Sequence, residues 1–186
     1  GARRISARMK TNAYKPWLVG AVVFLTALWV LRPAKPRFLR LPARGAAPAW
    51  SFATLDGGRL SSTNYAGQIV VLNFWATWCG PCVRELTELA AFHQSHRNQG
   101  VTVIGASIDD PPEPALRDWL RQSPPPYPVG VADPASREAF GGVSQIPETW
   151  VIGADGRVAA RYLGPISQEE LERAIAPLRP SAGTPT

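Results

Sequence analysis

The chain contains only two cysteines, Cys79 and Cys82, with two residues between them. A continuous apolar run from Ile69 to Leu72 comes shortly before the pair, and apolar residues at helical spacing follow it. A thiol at the start of a helix lies near the partial positive charge of the helix N-terminus, which stabilises the thiolate and lowers the thiol pKa. The sequence therefore predicts that Cys79 is a nucleophilic thiolate and that Cys82, one turn into the helix, resolves its mixed disulfides.

A structural disulfide and a zinc site are the other uses of such a pair. A disulfide that closes so short a loop restricts the unfolded chain little, and small stapled domains carry more cysteines. A zinc site would need His93 and His96, but along one continuous helix Cys82 and His93 would lie roughly 16 Å apart, too far for shared ligation. Both histidines are therefore expected on or near the solvent face of that helix, and redox chemistry is favoured.

Charge is distributed unevenly along the 186 residues, which suffice for one domain with a core plus appendages. The formal net charge is +6, but residues 1–44 hold ten of the twenty Lys and Arg and no acidic residue. Residues 45–186 hold ten Arg against fourteen acidic residues, a net charge of −4. A nucleic-acid-binding domain needs a basic face, so no nucleic-acid partner is expected.

Residues 17–31 form a fifteen-residue stretch without a charged side chain, between Lys15 and Arg32. A comfortable membrane span needs about 20 residues, but interfacial aromatic residues and snorkelling basic side chains allow a shorter one. A cleaved signal peptide is the alternative, although no cleavage site of small residues follows closely. We expect an uncleaved single-pass anchor, with the N-terminal tail (residues 1–16) inside and the C-terminal domain outside.

The remainder of the chain is predicted to be a tether, a folded domain and a tail. Residues 32–49 are rich in proline, alanine and arginine, which predicts a semi-extended tether without a core. The folded domain is expected over residues 50–178 and a disordered tail over 179–186. The domain reads as a hairpin, then alternating buried strands and helices, then a second hairpin and a closing helix. This order predicts an α/β fold whose mixed central sheet is covered by helices on both faces.

The segment Val71–Cys82, with the sequence VLNFWATWCGPC, and the later Ile146-Pro147-Glu148-Thr149 resemble the membrane-anchored thioredoxin-like family of TlpA, ResA and DsbE (also called CcmG). The resemblance covers roughly residues 50–178, the anchor and tether match as well, and Pro-Glu-Thr is most similar to the DsbE branch. It implies a thioredoxin-like fold with an N-terminal β-hairpin addition. It also implies a thiol:disulfide oxidoreductase whose redox centre is the Cys79–Cys82 disulfide, without a further cofactor or a metal.

The resemblance also implies roles for residues around the cysteines. Pro147 is expected to be a cis-proline that packs beside the two cysteines and holds the partner polypeptide. For the two tryptophans the expectation comes from position, with core packing as the alternative: Trp75 is expected in the core, and Trp78, directly before the nucleophile, is expected at the surface as a partner contact. Glu148, beside Pro147, is a further candidate for partner binding.

Proton handling at Cys82 needs an acid, and ordinary thioredoxin has one in the strand where Asn73 stands here. Glu85 lies three residues beyond Cys82 on the same helical face and matches the family's acidic position. Glu148 is the second candidate. The alternative for Glu85 is an ordinary acidic residue in the first part of a helix, where the helix dipole favours it.

Members of this family lie outside the cytoplasmic membrane, and many keep one partner reduced, above all the Cys-x-x-Cys-His haem site of apocytochrome c. The resemblance therefore implies a protein of the bacterial inner membrane whose C-terminal domain faces the periplasm. Its client would be apocytochrome c, and a membrane electron donor of the DsbD or CcdA type would re-reduce it. Two alternatives stay open: reduction of a copper-site or copper-chaperone disulfide, and a non-catalytic thioredoxin-like binding module.

Overall fold

A computed structural model describes residues 20, 21, 24, 39–41, 45–110 and 112–179. The predicted N-terminal tail, most of the predicted anchor and most of the predicted C-terminal tail lie outside these residues. None of the helices found among the described residues has the length and apolar character that a membrane crossing requires. The chain divides into two compact units, residues 1–36 and 37–186, and the elements below belong to the second.

From residue 39 onward, the described residues form one eight-stranded sheet, four α-helices and two 3-10 turns, Ser62–Tyr65 and Ala176–Leu178. In chain order the strands are β1 (Leu39–Leu41), β2 (Ser51–Ala53), β3 (Arg59–Ser61), β4 (Ile69–Trp75), β5 (Val101–Ser107), β6 (Val129–Val131), β7 (Glu148–Ile152) and β8 (Val158–Leu163). The helices are α1 (Gly80–His96), α2 (Pro112–Gln122), α3 (Pro134–Ala139) and α4 (Gln168–Ile175). The strand order across the sheet is β1-β8-β7-β4-β5-β6-β2-β3.

The sheet is mixed, as the sequence predicts. Strands β4, β5 and β6 run parallel, and each of the other neighbouring pairs is antiparallel. All seven residues of β4 are buried, which suits its run of β-branched, aliphatic and aromatic side chains. Because side chains alternate along a strand, Val71 and Trp75 pack with α1, and Leu72 and Phe74 pack in a separate cluster on the opposite face. We call these the α1 face and the opposite face of the sheet.

The predicted N-terminal hairpin is present and extends the sheet at one side. Strands β2 and β3 pair in register from Ser51 with Ser61, and Ala53 of β2 joins Val131 of β6. The turn between them contains Gly57, whose φ of 87° lies in the left-handed region that a glycine adopts without steric cost. The hairpin therefore forms the edge of the sheet beyond β6.

The segment predicted as a tether contributes to the other edge. Strand β1 pairs antiparallel with β8, from Leu39 with Leu163, and Ala46 bridges Arg157. These attachments are backbone hydrogen bonds, and the Leu39 side chain is 59% exposed. The described part of the predicted tether therefore adds an edge strand to the sheet, and its Ala47 side chain packs against the core cluster on the opposite face.

The prediction for the two histidines is wrong. His93 and His96 are only 8% and 4% exposed, although both were expected on or near the solvent face of α1. The ring of His93 lies edge-on to Tyr127, and Nε2 of His96 lies 3.0 Å from the carboxylate of Glu172 on α4. Helix α1 is covered by the sheet on one side and by α4 on another. Its buried face is therefore wider than that of a helix that packs against a sheet alone.

Candidate active site

The two cysteines lie at the junction between the central strand β4 and helix α1. Strand β4 ends at Trp75, and Cys79 is the N-cap of α1. Its Sγ accepts a hydrogen bond from the backbone N–H of Cys82 at 3.2 Å, as a capping side chain does. The two residues are joined by a disulfide bond, so the structure is that of the oxidised protein.

The two sulfurs differ in their surroundings. Cys79 is 6% exposed and Cys82 is fully buried. The backbone N–H of Cys82, in the first turn of α1, points toward the sulfur of Cys79, and such a donor at a helix N-terminus stabilises a thiolate. The geometry therefore favours Cys79 over Cys82 as the sulfur that a client reaches first.

The loop before β7 forms the other wall of the site. The Ile146–Pro147 peptide bond is cis, and Pro147 is buried. The carbonyl oxygen of Ile146 lies 4.0 Å from Sγ of Cys79. The predicted cis-proline is thus next to the cysteines, although its action on a partner stays a prediction.

Trp78 is 68% exposed, among the largest exposed apolar side chains of the described residues. Trp75, three residues earlier, is fully buried and packs edge-on against Trp119 at a centroid distance of 4.9 Å. The two tryptophans therefore occupy the environments that the sequence predicts for them. The exposed indole directly before Cys79 is available for contact with another polypeptide.

Glu85 lies on the buried side of α1, one turn beyond Cys82, and is 2% exposed. Its Oε1 accepts a hydrogen bond from the backbone N–H of Ile166 at 2.9 Å. Its Oε2 accepts a weaker one from Nδ2 of Asn73 at 3.3 Å. Neither partner is positively charged, so the carboxyl group has no ion pair to offset the cost of its burial.

Burial raises the pKa of Glu85 to about 8, and the hydrogen bonds from Ile166 and Asn73 oppose that rise in part. Burial is also the main cause that raises the pKa of Tyr127, and the negative charge of Glu85 adds to it. A carboxyl group with a pKa near neutrality can both accept and return a proton at physiological pH. This is the property that a thiol-deprotonating group needs, and an ordinary exposed helical glutamate lacks it.

Asn73 links Glu85 to the strand that follows Pro147. Its Nδ2 also donates to Oγ1 of Thr149 at 3.0 Å, and both Asn73 and Thr149 are fully buried. Oδ1 of Asn73 has no hydrogen-bond partner among the residues that the structure describes. Ordinary thioredoxin carries an acidic residue in this strand. This chain instead has the amide of Asn73 there, hydrogen-bonded to the acidic residue Glu85 on α1.

Glu148 is not brought to the cysteines. Residues alternate along β7, so that Val151 packs on the α1 face while Trp150 packs on the opposite face together with Glu148. The carboxylate of Glu148 accepts hydrogen bonds from Nε1 of Trp150 at 2.6 Å and from Nε of Arg161 at 2.7 Å. Because Glu148 is 1% exposed and already paired, this arrangement offers it neither to Cys82 nor to a partner.

Asp109 is a residue near the site that the sequence analysis does not single out. It lies three residues before the start of α2 at Pro112, and its carboxylate binds the turn before Cys79. A signal was available in the sequence: Asp109 follows a buried strand predicted to lie parallel to β4. The carboxyl ends of parallel neighbours meet at one edge of a sheet.

In the described ranges, no group of three or more His, Cys, Asp or Glu side chains is placed to hold an ion. The redox-active group that the site does contain is the disulfide. Its chemistry is thiol–disulfide exchange, in which a thiolate attacks a disulfide sulfur and forms a mixed disulfide.

Comparisons with known proteins agree with this chemistry. Residues 43–161 match the AhpC/TSA family. The chain is 35% identical over 144 residues to a thiol:disulfide interchange protein DsbE homolog of Paracoccus denitrificans, covering 70% of this chain and 75% of the relative. It is 27% identical over 134 residues to the thiol-disulfide oxidoreductase ResA of Bacillus cereus, covering 72% and 77%.

A solved structure shows the same architecture. The crystal structure of a thiol:disulfide interchange protein of the thioredoxin family from Chlorobium tepidum superposes with a TM-score of 0.65 at 30% identity, covering 74% of this chain and 98% of that one. The fold is thus thioredoxin-like, with a mixed sheet flanked by helices. Together with the sequence matches and the Cys79–Cys82 pair, these findings show that the chain belongs to the AhpC/TSA family and is a thioredoxin-like thiol-disulfide oxidoreductase of the ResA and DsbE type.

Proposed function

We propose that this oxidoreductase reduces a disulfide in a client protein outside the cytoplasmic membrane, and that the client is the Cys-x-x-Cys-His haem site of apocytochrome c. The observation that carries the two-step exchange is the asymmetry of the pair: Cys79 caps α1 and is 6% exposed, and Cys82 is fully buried one turn from the buried Glu85. The reductive direction is supported by the resemblance. The client assignment is supported by the resemblance of the Pro147-Glu148-Thr149 segment to the DsbE branch.

The reaction consists of two exchanges. The reduced protein attacks with the Cys79 thiolate, which forms a bond to one client sulfur while the client's own disulfide breaks and its other sulfur leaves as a thiolate. Cys82 then loses its proton to Glu85 and attacks Sγ of Cys79. The mixed disulfide breaks, the client is released with two thiols after protonation, and the protein is left with the Cys79–Cys82 disulfide. A membrane electron donor of the DsbD or CcdA type must reduce that disulfide before the next cycle.

The decisive experiment is capture of the client. In the full chain, Cys82→Ala removes the resolving sulfur, so the mixed disulfide on Cys79 should accumulate and its partner can be identified by mass spectrometry. Cys79→Ala is the matched control and should capture nothing. Apocytochrome c on Cys79 supports the proposal, and a copper-binding protein supports the first alternative.

A binding module without redox activity predicts a different result. The Cys79→Ala, Cys82→Ala double variant would then bind its partner as tightly as the wild type. Under the mechanism proposed above, loss of both thiols abolishes the covalent complex and the wild type reduces an oxidised Cys-x-x-Cys-His peptide. Retained binding together with an inert wild type would exclude the enzymatic proposal for this client.

The location follows from the same proposal. We infer a single-pass anchor over residues 17–31 with the domain on the periplasmic side, supported by the charge-free stretch and the resemblance. Protease added to intact spheroplasts should digest the C-terminal domain. Full protection of the domain would place it on the other side of the membrane.

A further inference from the structure

The turn between β4 and α1, residues 76–79, is bound at its middle by a carboxyl group from the neighbouring strand. Asp109 is 5% exposed and lies two residues beyond β5. The backbone N–H of Thr77 donates to both of its oxygens, at 3.1 and 3.2 Å, and the Thr77 hydroxyl donates to Oδ1 at 2.7 Å. The backbone N–H and the hydroxyl of Thr77 thus both donate to the Asp109 carboxylate.

Asp109 is itself held in place. The hydroxyl of Ser107 donates to Oδ2 of Asp109 at 2.7 Å and accepts from the Asp109 backbone N–H at 3.1 Å. The parallel register sets Ser107 beside Trp75, and the backbone N–H of Ile108 donates to the Trp75 carbonyl at 2.9 Å. The carboxyl group is therefore anchored to the strand next to the one from which the turn departs.

The turn carries the two groups that a client meets. Trp78 is its exposed side chain, and Cys79 ends it at the start of α1. Within the turn, a backbone hydrogen bond from the N–H of Cys79 to the carbonyl of Ala76, at 3.2 Å, closes a local loop but does not tie it to the sheet. Asp109 supplies that tie. Removing it would leave polar groups of Thr77 without their acceptor, at the cost of an unsatisfied hydrogen bond.

We propose that Asp109 is a positioning residue for disulfide exchange with polypeptide clients, because it holds Trp78 and Cys79 in register with the Ile146–Pro147 loop. The inference rests on the proposed function, since it concerns how a client polypeptide binds at the site. A small disulfide needs only access to Sγ of Cys79. A polypeptide must contact both walls of the site at once, so a displaced turn penalises it more.

The test compares two disulfide substrates in the full chain. Asp109→Asn keeps the shape of the side chain but replaces one acceptor oxygen by a donor, so at least one bond from Thr77 or Ser107 is lost. We expect kcat/KM for an oxidised Cys-x-x-Cys-His peptide to fall by about tenfold, mainly through KM, while the rate with dithiobis(nitrobenzoate) changes less than about twofold. Asp110→Asn is the matched control: it removes a neighbouring exposed carboxyl group and should resemble the wild type on both substrates.

A second pair of variants covers the case in which Asp109→Asn does not fold. Thr77→Val removes the hydroxyl while keeping the shape, and should show the same selective loss. Thr77→Ser keeps the hydroxyl and should restore wild-type behaviour. Equal slowing on both substrates, or no slowing on either, would overturn the role of Asp109. A wild type that leaves the peptide oxidised would instead overturn the proposed function, and this role with it.

Discussion

The backbone N–H of Ile166 donates a hydrogen bond to the carboxyl group of Glu85, and the two atoms are 2.9 Å apart. Ile166 lies in the segment that leads into α4, where the hydroxyl of Ser167 caps the helix by accepting from the N–H of Glu170. The loop before α4 therefore holds the buried acid through Oε1, the oxygen that Asn73 does not bind. This contact joins the last helix of the domain to the group that we propose as proton acceptor for Cys82.

The stability of the oxidised protein should fall with rising pH because of Glu85. Burial raises its folded-state pKa from 4.5 to about 8. Between these values the folded state keeps a proton that the unfolded chain has released, so stability is fully present below about pH 4.5 and is lost as pH rises through about 8. Glu85→Gln cannot titrate, and its stability relative to the wild type should improve by up to about 1.4 kcal/mol per pH unit across this window.

Urea unfolding of the oxidised proteins at pH 5, 6.5 and 8 measures this effect, because the disulfide cysteines do not titrate. Glu88→Gln is the control: Glu88 also accepts a backbone N–H, from Gln168 at 3.0 Å, but it is exposed. Its stability difference from the wild type should change little with pH. If the Glu85→Gln and wild-type stabilities ran parallel over the whole range, Glu85 would not hold the proton.

In the reduced protein, Cys79 should react first with a limiting amount of iodoacetamide at pH 7. Cys79 caps α1 and is partly accessible, whereas Cys82 is fully buried. Peptide mass spectrometry should locate the label at Cys79 before any appears at Cys82. Preferential labelling of Cys82 would reverse the two roles.

The pH dependence of the same labelling tests whether Glu85 acts on the cysteines. Glu85→Gln should shift the pH profile of cysteine alkylation, because it removes the group proposed to take the Cys82 proton. Glu88→Gln again serves as the exposed control. An unchanged profile in Glu85→Gln would leave Glu85 as an ordinary acidic residue of the helix.

Arg161 should stabilise the fold through Glu148. Glu148 is 1% exposed and Arg161 is 26% exposed, and the guanidinium also lies 4.7 Å from the centroid of the Trp150 ring. Arg161→Leu leaves a buried carboxyl group without its cation and should cost about 3 kcal/mol in the free energy of unfolding. Arg157→Leu, at an exposed position, should change it by less than about 0.5 kcal/mol.

The double variant Glu148→Gln, Arg161→Leu separates the buried charge from general packing. It should regain part of the loss in denaturant unfolding, because the uncompensated carboxyl group is gone. Additive losses from the two single changes would mean that the ion pair is not the source of the effect.

Glu172 should contribute to the packing of α4 on α1 through His96. Nδ1 of His96 lies 2.8 Å from the Phe92 carbonyl, and Nε2 lies 3.0 Å from Glu172. Glu172→Ala should lower the free energy of unfolding by about 1 kcal/mol, since it leaves a buried ring nitrogen without its partner. Glu169→Ala is the control, because Glu169 is 79% exposed and pairs only with Arg173 of its own helix among the described contacts. Equal effects of the two changes in thermal unfolding would contradict this.

Local features of the chain could be predicted because they depend on near neighbours. The start of α1 at the cysteines, the hairpin around Gly57 and the capping of α4 by Ser167 are of this kind. Each follows from residues a few positions apart, whose spacing and turn chemistry act within one element. The exposure of Trp78 is local in the same sense, because it lies in a tight turn that leads into a helix.

The site beyond the cysteines depended on the packing of distant segments. The alternation of side chains along a strand shows that Glu148 and Thr149 point to opposite faces of the sheet. It does not show which of these faces α1 covers. Glu148 could therefore be expected at the cysteines, whereas in the structure it pairs with Arg161. Asp109 reaches Thr77 only because β5 lies parallel to β4, and His96 is buried only because α4 crosses α1. The sequence alone thus determined the reactive sulfurs and the elements that carry them. The tertiary structure decided which buried polar groups surround those sulfurs, because such contacts arise only when separate elements share one core.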